Sequence, residues 1–201
     1  MGLKDSTTEE KVLEAAKEVF MKYGLYGARM QDIADTAGIN KALLHYYFRS
    51  KEKLFDAVFD GALEKYFAQM TVIGDKSLPI KDRLMQYVDN MFEFFTEYPQ
   101  MSMFIIKEIS INPEMFHEKV KHLKNQRSML IPTLKEAFAN KEIETFDPVT
   151  FMVNLHSLCA YPFLASPLYS VMLKKYDYEW DGEAKNKIKQ SVKDFISFKF
   201  Q

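Results

Sequence analysis

Apolar residues recur three or four positions apart along most of the chain, whereas the alternation typical of β-strands is scarce. The first clear stripe comprises Val12, Ala16, Val19, Phe20 and Tyr23. Thr7 precedes this stripe and Glu10 follows three positions later, as in a capping box, so a first helix is predicted to begin near Thr7. The pattern predicts an all-α protein, with neither an internal repeat nor a low-complexity segment.

Two short helices with a glycine between them are predicted next. Gly24 is expected to end the first helix, because glycine commonly follows a helix C-terminus. A second helix is predicted over about residues 31–36 and a third over about 40–47, separated by the tight turn Ala37-Gly38-Ile39. A fourth helix is predicted over about 50–70. Two short helices joined by a glycine-containing turn form the helix-turn-helix pattern.

The third helix is predicted to present polar and aromatic groups outward. With about 100° per residue and Leu44 pointing at the core, residues within roughly 60° of it should face inward. These inward residues are Asn40, Tyr47 and Phe48, and those on the opposite face are Ala42, His45 and Tyr46. The sequence therefore predicts that the adjacent tyrosines are split, with Tyr47 inside and Tyr46 outside.

A second, larger helical region is predicted beyond about Thr71. Its first helix begins at Pro79 and ends at Tyr98-Pro99, and a short apolar helix over about 100–109 follows. Asn112-Pro113 is predicted to begin a helix that is kinked at Pro132. Its inward residues are predicted to be Met115, Val120, Leu123, Met129, Leu130 and Leu134.

Two long helices are predicted near the end of the chain. One begins at Asp147-Pro148, continues through Phe163, and is apolar almost all round, so it is predicted to be buried on every side. The other spans about 183–198 and carries its apolar residues on one face. Together they hold more apolar surface than one small domain readily covers, which suggests a dimer interface, although packing within the monomer is the alternative.

Composition and charge narrow the function classes. Apolar residues make up 47% of the chain, which is ample for a core, and the formal net charge is only -1. Nucleic-acid affinity would therefore need a local patch, and residues 22–53 supply one, with six Lys or Arg against three Asp or Glu. The single cysteine excludes an intramolecular disulfide. Neither a signal peptide nor a membrane span is indicated, so the protein is expected to be cytoplasmic.

These residues alone leave two partners open for the exposed helix. His45, Tyr46 and the neighbouring lysines could contact the phosphates and base edges of duplex DNA. Exposed aromatic helices also bind other proteins, so an all-helical interaction scaffold without DNA or ligand binding is the alternative.

A longer segment resembles a known family. Residues 12–55, including "AAKEVFMKYGLYGARMQDIADTAGINKALLHYYFRSKEKLF", are similar to the N-terminal domain of the tetracycline-repressor (TetR) family of bacterial transcription regulators. The first helix matches as "A…F…G", the second helix and turn as "IA…AG", and the third helix ends in "YYF" before a basic residue and "SK". The resemblance implies a DNA-binding domain over 1–50, with helix four (about 50–70) as the connection, and a ligand-binding and dimerisation domain over 51–201.

The resemblance implies roles for individual residues. Ten positions correspond to contacts with double-stranded DNA: Met30, Gln31, Asn40, Lys41, Ala42, Leu43, His45, Tyr46, Tyr47 and Lys51. Tyr47 and Lys51 occupy positions that often contact phosphate. Met30 and Leu43 stand where family members commonly carry Thr or Ser, so a hydroxyl contact is expected to be lost at Met30. Leu43 could instead meet a thymine methyl group.

The family also implies a homodimer and an effector. A dimer formed through the last two long helices would bind a pseudo-palindromic operator with two recognition helices. A small, largely apolar effector would release a repressor of this kind from DNA. Its expected cavity is lined by Tyr87, Met91, Phe104, Met129, Asn154 and Leu155.

An enzyme is the remaining class to consider. His156 and Cys159 share a helix face and could form a nucleophile-base or metal pair, but they lie in the most apolar helix and no third residue accompanies them. Gly-rich phosphate loops, Gly-x-Ser-x-Gly and Cys-x-x-Cys do not occur in the sequence. We expect no catalytic site, metal or cofactor.

Overall fold

The computed structural model describes residues 7–122 and 130–200, and the secondary structure in these residues is helical throughout, which confirms the all-α fold. The α-helices, in chain order, are α1 Thr8–Gly27, α2 Met30–Ala37, α3 Lys41–Tyr47, α4 Lys51–Ala68, α5 Ile80–Glu97, α6 Met101–Ile111, α7 Pro113–His122, α8 Leu130–Ala139, α9 Pro148–Leu164, α10 Ser166–Met172 and α11 Gly182–Lys199. Two short 3-10 turns span Thr71–Gly74 and Leu173–Tyr176. The short helix α10 was not predicted from the sequence.

The start of α1 confirms the predicted capping box, but its end differs from the prediction. The Glu10 amide donates to Thr7 Oγ1 at 3.3 Å, and the Thr7 amide donates to Glu10 Oε2 at 2.8 Å. Gly24 adopts a φ of +68° and interrupts the helical geometry, yet helical residues resume and continue to Gly27. The prediction that Gly24 ends the helix is therefore wrong, because the glycine produces a kink instead of a stop.

One compact unit comprises residues 7–64 together with 104–119. Its core is aromatic: the Phe20 and Phe55 ring centroids are 5.1 Å apart, and Phe104 packs on Phe55 and Phe59 at 5.9 and 5.6 Å. The helical N-terminal region thus has its own buried core, to which a segment from the middle of the chain contributes. The DNA-binding domain boundary at residue 50 remains a prediction.

The other compact unit comprises residues 65–103 and the described residues from 120 onwards. Helices α5, α8, α9 and α11 pack together in it. The side chains of Leu84, Met91, Leu155 and Ile196 are fully buried. Asp89 on α5 also forms an ion pair with Lys193 on α11, at 2.6 Å.

The predicted long helix around Pro132 can be judged only in part. The described part of α8 begins at Leu130, and Pro132 lies inside it. Leu123 and Met129 lie outside the described residues. Whether one kinked helix connects α7 to α8 stays a prediction.

The prediction that the apolar helix α9 is buried on every side is wrong. Val149, Val153, Leu158 and Tyr161 are exposed, although Phe151, Leu155 and Cys159 on the other face are buried. Apolar periodicity shows which face of a helix is apolar, but it does not show whether other parts of the same chain cover that face. A single chain leaves this stripe of α9 uncovered.

The described part of the chain contains no helix that is both long enough and apolar enough to cross a bilayer.

Candidate nucleic-acid interface

The corner between α2 and α3 depends on a left-handed glycine. Gly38 has φ +68° and ψ +30°, and its amide donates to the carbonyl oxygens of Ala34 and Asp35. The Ile39 amide also donates to Ala34, at 3.0 Å, which completes a Schellman-type end to α2. A Cβ at Gly38 would meet nothing within 4 Å, so the backbone conformation, not lack of space, requires glycine here.

The next helix begins at once and is oriented by one buried leucine. The Asn40 side-chain oxygen accepts a hydrogen bond from the Leu43 amide at 2.8 Å and caps α3. Leu44 is fully buried, as are Ile33 and Ala34 of α2. The opposite face of α3 therefore points away from the core of this unit.

The exposed face of α3 includes the three residues predicted for it, and Asn40, which was predicted to face inward, is exposed as well because it lies before the first turn of the helix. Lys41, Ala42, His45 and Tyr46 are exposed, and the Tyr46 side chain has 79% of its surface accessible. Leu43 on the flank is partly exposed. These groups offer an ammonium, an imidazole and a phenol from one short helical surface, with a small residue among them.

The prediction that Tyr47 lies inside while Tyr46 lies outside is wrong for Tyr47, whose side chain is exposed (38%). Its ring lies edge-on to that of Tyr46, with centroids 5.5 Å apart and planes at 87°. The helix ends at Tyr47 and the chain becomes extended at Phe48, so no further turn covers the ring. Both phenols are thus available on this surface.

The residues beside α3 add polar and basic groups. Gln31 is exposed, and its amide donates to Asp35 Oδ1 at 2.8 Å, while Met30 is half-buried at the start of α2. Lys51 Nζ donates to the Ala28 carbonyl oxygen at 3.1 Å, which holds the ammonium in place and leaves further N–H groups to donate. Arg29 is exposed just before α2, a position that the sequence reasoning counted only in the charge balance.

A contact that sequence reasoning missed lies beneath the kink in α1. Glu108 of α6 is buried beside Gly24: a Cβ on that glycine would lie 3.4 Å from Glu108 Oε1 and 3.3 Å from Lys107 Nζ. Burial raises the pKa of Glu108, and the Lys107 charge and the Leu25 backbone oppose this only in part. Residues 24 and 108 are far apart in sequence, so no local pattern could have indicated this pair.

A second missed contact ties α7 to α4. Lys119 Nζ lies 2.7 Å from Asp60 Oδ1 and 3.1 Å from Asp56 Oδ1, two carboxylates one helical turn apart. Burial acts to lower the pKa of Lys119, but the hydrogen bonds and charges of Asp60 and Asp56 outweigh it and raise the pKa. The helix that begins with Lys51 is therefore held by an ion pair as well as by its aromatic core.

Comparison with known proteins identifies the family. Residues 12–58 match the family model described as bacterial regulatory proteins, tetR family. The chain is 31% identical over 130 residues to the HTH-type transcriptional regulator RutR of Escherichia coli K12, an alignment covering 63% of this chain and 61% of that protein. Residues 12–58 of the chain thus form a TetR-family N-terminal domain. The predicted family resemblance is thus confirmed.

Two further proteins are similar to this chain. NicS of Pseudomonas putida, an HTH-type transcriptional repressor, is 33% identical over 97 residues, covering 46% of this chain and 44% of NicS. The alignments span about three fifths of the RutR length and less of NicS. The crystal structure of SCO4942 from Streptomyces coelicolor shares the fold, with a TM-score of 0.71 at 20% identity, covering 96% of this chain and 98% of that one.

The residues predicted to line an effector cavity differ in burial and do not all belong to one compact unit. Tyr87, Met91 and Leu155 are buried in the second unit. Phe104 belongs to the first unit, Asn154 is exposed on α9, and Met129 lies outside the described residues. The effector cavity stays a prediction.

A partly buried cluster of Tyr66, Tyr87 and His156 bears on the enzyme alternative. His156 Nδ1 is 2.8 Å from the Tyr87 hydroxyl, and its Nε2 is hydrogen-bonded to the Tyr66 hydroxyl. Burial lowers the pKa of His156 and raises that of Cys159 to about 12. At neutral pH the thiol keeps its proton and both imidazole nitrogens are engaged, which disfavours a nucleophile-base pair.

Two further findings concern metal binding and catalysis. No group of three or more His, Cys, Asp or Glu side chains suited to a metal ion occurs among the residues that the structure covers. RutR and NicS are named as transcriptional regulators, which fits the expectation that this chain is not an enzyme.

Proposed function

We propose that this protein is a ligand-responsive transcriptional regulator that binds duplex DNA through the exposed face of α3. The main observation in support is that Leu44 is fully buried while Lys41, His45 and Tyr46 are exposed on the opposite side of the helix. A helix of this kind is of the size that the major groove admits. The basic residues around it supply the phosphate affinity that an overall net charge of -1 does not.

Each side chain on this surface has a proposed role. Lys41, His45 and Tyr46 reach base edges or phosphates, and Ala42 allows close approach of the backbone. Leu43 meets a thymine methyl group, since it offers no hydrogen bond. Tyr47 and Lys51 contact phosphate, with Asn40, Met30 and Gln31 at the edge of the interface. The exposure of Tyr47 supports this role better than the buried position expected from the helical wheel.

The exposed apolar stripe of α9 supports a homodimer formed through α9 and α11. Val149, Val153 and Tyr161 would be covered by a second copy of the chain. Two recognition helices related by a two-fold axis would enter successive major grooves about 34 Å apart and select a pseudo-palindromic operator. NicS is named as a repressor, and we propose repression for this chain too.

A small, largely apolar effector is proposed to control DNA binding from the larger helical region. The buried Tyr87, Met91 and Leu155 would form its apolar surroundings, and the hydroxyl of Tyr87 with its partner His156 would provide a polar contact. An effector that favours one arrangement of the two DNA-binding domains would shift the dimer away from its operator.

Selection of bound sequences from a random duplex library, followed by titration of the selected duplex, tests DNA binding. Substituting Tyr46→Ala or Lys51→Ala should weaken binding, and the wild-type affinity should fall steeply with added salt. Tyr176→Ala is the control, because this tyrosine is also strongly exposed but lies in the second unit. Selection of no duplex, or unchanged affinity in a Tyr46→Ala, Lys51→Ala double variant, would overturn the proposed interface and leave the scaffold alternative.

A further inference from the structure

A cavity of about 450 Å³ opens in the second unit, away from the residues predicted for the effector. It lies between the segment Lys76–Pro79, the first turn of α5 with Arg83, and the C-terminal end of α8. The α8 side is formed by Thr133, Glu136, Ala137 and Asn140, with Glu142 just beyond. The volume falls in the range typical of small-molecule sites, roughly 300–1,000 Å³.

Arg83 is the unusual residue of this cavity. Its side chain lines the cavity although the residue is only 8% exposed. Nη1 donates to the Ile73 carbonyl oxygen at 3.1 Å, but buried Nε has no hydrogen-bond partner among residues 7–122 and 130–200. A buried guanidinium N–H without an acceptor is costly, so the incompletely bonded Arg83 guanidinium favours an oxygen ligand in the cavity, above all a carboxylate.

The carboxylates around the cavity accept hydrogen bonds from groups other than Arg83. Asp75 Oδ1 accepts from the Ser77 amide at 2.9 Å and from Ser77 Oγ at 2.6 Å. Glu136 Oε1 accepts from Lys76 Nζ at 2.6 Å. The first turn of α5 adds amide groups without intrahelical partners, and Pro79 before it provides no side-chain cap. Asp82 lies in the same turn, and the charge of Arg83 helps to lower the pKa of Asp75 and of Glu136, so this end offers an anion hydrogen-bond donors more than net positive charge.

The opposite end of the cavity has the reverse polarity. The last turn of α8 ends here, and helix C-termini carry a partial negative charge. Lys141, at φ +58°, turns the chain so that the Glu142 amide donates to the Ala137 carbonyl oxygen at 3.0 Å. Asn140 Nδ2 also donates to Glu142 Oε1 at 3.0 Å. Glu136 and Glu142 thus bring two carboxylates to this end, which favours a cation.

We propose that this cavity binds a free amino acid, with the ligand carboxylate on the Arg83 guanidinium and the first turn of α5, and the ligand ammonium on Glu136 and Glu142. The exposed Lys76–Glu136 ion pair spans the two ends and contributes little to stability, so a zwitterion can replace both partners at small cost. The site shares no residue with the proposed effector cavity or the DNA interface, and the inference does not depend on either.

The full-length chain, without DNA, is titrated calorimetrically with each of the twenty L-amino acids in turn. At least one should bind saturably, while its matched carboxylic acid without the amino group and its matched amine without the carboxyl group should bind at least about tenfold more weakly, since each loses a charge-assisted contact. Saturable binding of no amino acid, or equal binding of the matched carboxylic acid, would overturn the proposal.

Variants then locate the site on the chain. Arg83→Met should weaken binding roughly tenfold or more. Arg83 also donates a hydrogen bond to the Ile73 carbonyl, so its substitution could affect folding as well as binding. A Glu136→Gln, Glu142→Gln double variant therefore tests the ammonium end of the cavity, because both side chains are exposed and their substitution does not threaten folding. Lys135→Met is the control, since Lys135 is exposed on α8 but does not line the cavity. Unchanged affinity in the double variant, or an equal loss in the control, would contradict this location.

Discussion

Lys119 Nζ lies 2.7 Å from Asp60 Oδ1, so α7, from the middle of the chain, is bound to α4 within the first compact unit. The same ammonium also reaches Asp56. The position of α4, and with it Lys51 beside the candidate DNA interface, therefore depends on a residue more than fifty positions away in sequence. Removing this ammonium should affect the stability of that unit.

Lys119→Met is predicted to lower the free energy of unfolding by about 1 kcal/mol, because a partly buried ammonium with two carboxylate partners is lost. Urea denaturation followed by circular dichroism measures the change. Lys187→Met is the matched control: its ion pair with Glu183 is solvent-exposed, so the loss should stay below about 0.5 kcal/mol. Equal effects of the two substitutions would show that the α7–α4 ion pair contributes nothing particular.

Gly24→Ala is predicted to destabilise the protein by about 1–2 kcal/mol, since φ +68° is strained for a residue with a Cβ. The added Cβ would also lie within 3.3 Å of Lys107 Nζ. Gly61→Ala should do the opposite and stabilise by about 0.5–1 kcal/mol, because Gly61 lies inside α4 with open space around it. Urea unfolding of the two variants tests both signs. If Gly24→Ala were neutral, the kink would not need glycine.

Glu108→Gln is predicted to stabilise the protein at neutral pH. Burial raises the folded-state pKa of Glu108 above its usual 4.5, so the folded state holds a proton that the unfolded state has lost. The contribution of Glu108 to stability is therefore fully present below pH 4.5 and is lost as the pH rises through the folded-state pKa. Unfolding measured from acidic to neutral pH should show the variant gaining on the wild type as the pH rises. A constant difference across this range would contradict the argument.

His156 is predicted to give a pH dependence of the opposite sign. Burial lowers its folded-state pKa below the usual 6.5, so the unfolded state binds the proton more readily. The contribution of His156 to stability should be fully present above pH 6.5 and should fall as the pH decreases through the folded-state pKa. Thermal unfolding of wild type and His156→Gln across this range should show the wild type losing more stability on acidification. Parallel pH profiles would show that His156 does not titrate on unfolding.

Tyr87→Phe is predicted to destabilise by about 1–3 kcal/mol, because it removes the hydroxyl next to Nδ1 and leaves a buried imidazole nitrogen without its partner. Tyr161→Phe serves as control, since Tyr161 is exposed on the same helix as His156 and its change should be small. Chemical denaturation compares the two. Equal stability of the Tyr87 and Tyr161 variants would mean that the phenol–imidazole bond adds nothing to folding.

The parts of the interface that could be predicted from sequence are those governed by local geometry. Leu44 inside and Tyr46 outside follow from 100° per residue, and the Thr7–Glu10 capping box and the Asn40 cap follow from short-range hydrogen bonding. Tyr47 departs from the wheel because α3 ends there, and a wheel assumes a continuing helix. Glu108 and Lys119 could not be predicted, since their partners are brought near only by the tertiary fold.

The α9 stripe shows the same limit and provides a prediction about assembly. Its apolar character was visible in the sequence, but whether the chain covers its own stripe was not, and Val153 is 52% exposed. Val153→Asp should shift the protein from dimer to monomer, because the introduced carboxylate would be desolvated in a two-fold interface. Sedimentation velocity measures this, and Met103→Asp is the control with the same 52% exposure, on α6. A Val153→Asp protein that sediments as the wild type does would place the dimer contact elsewhere.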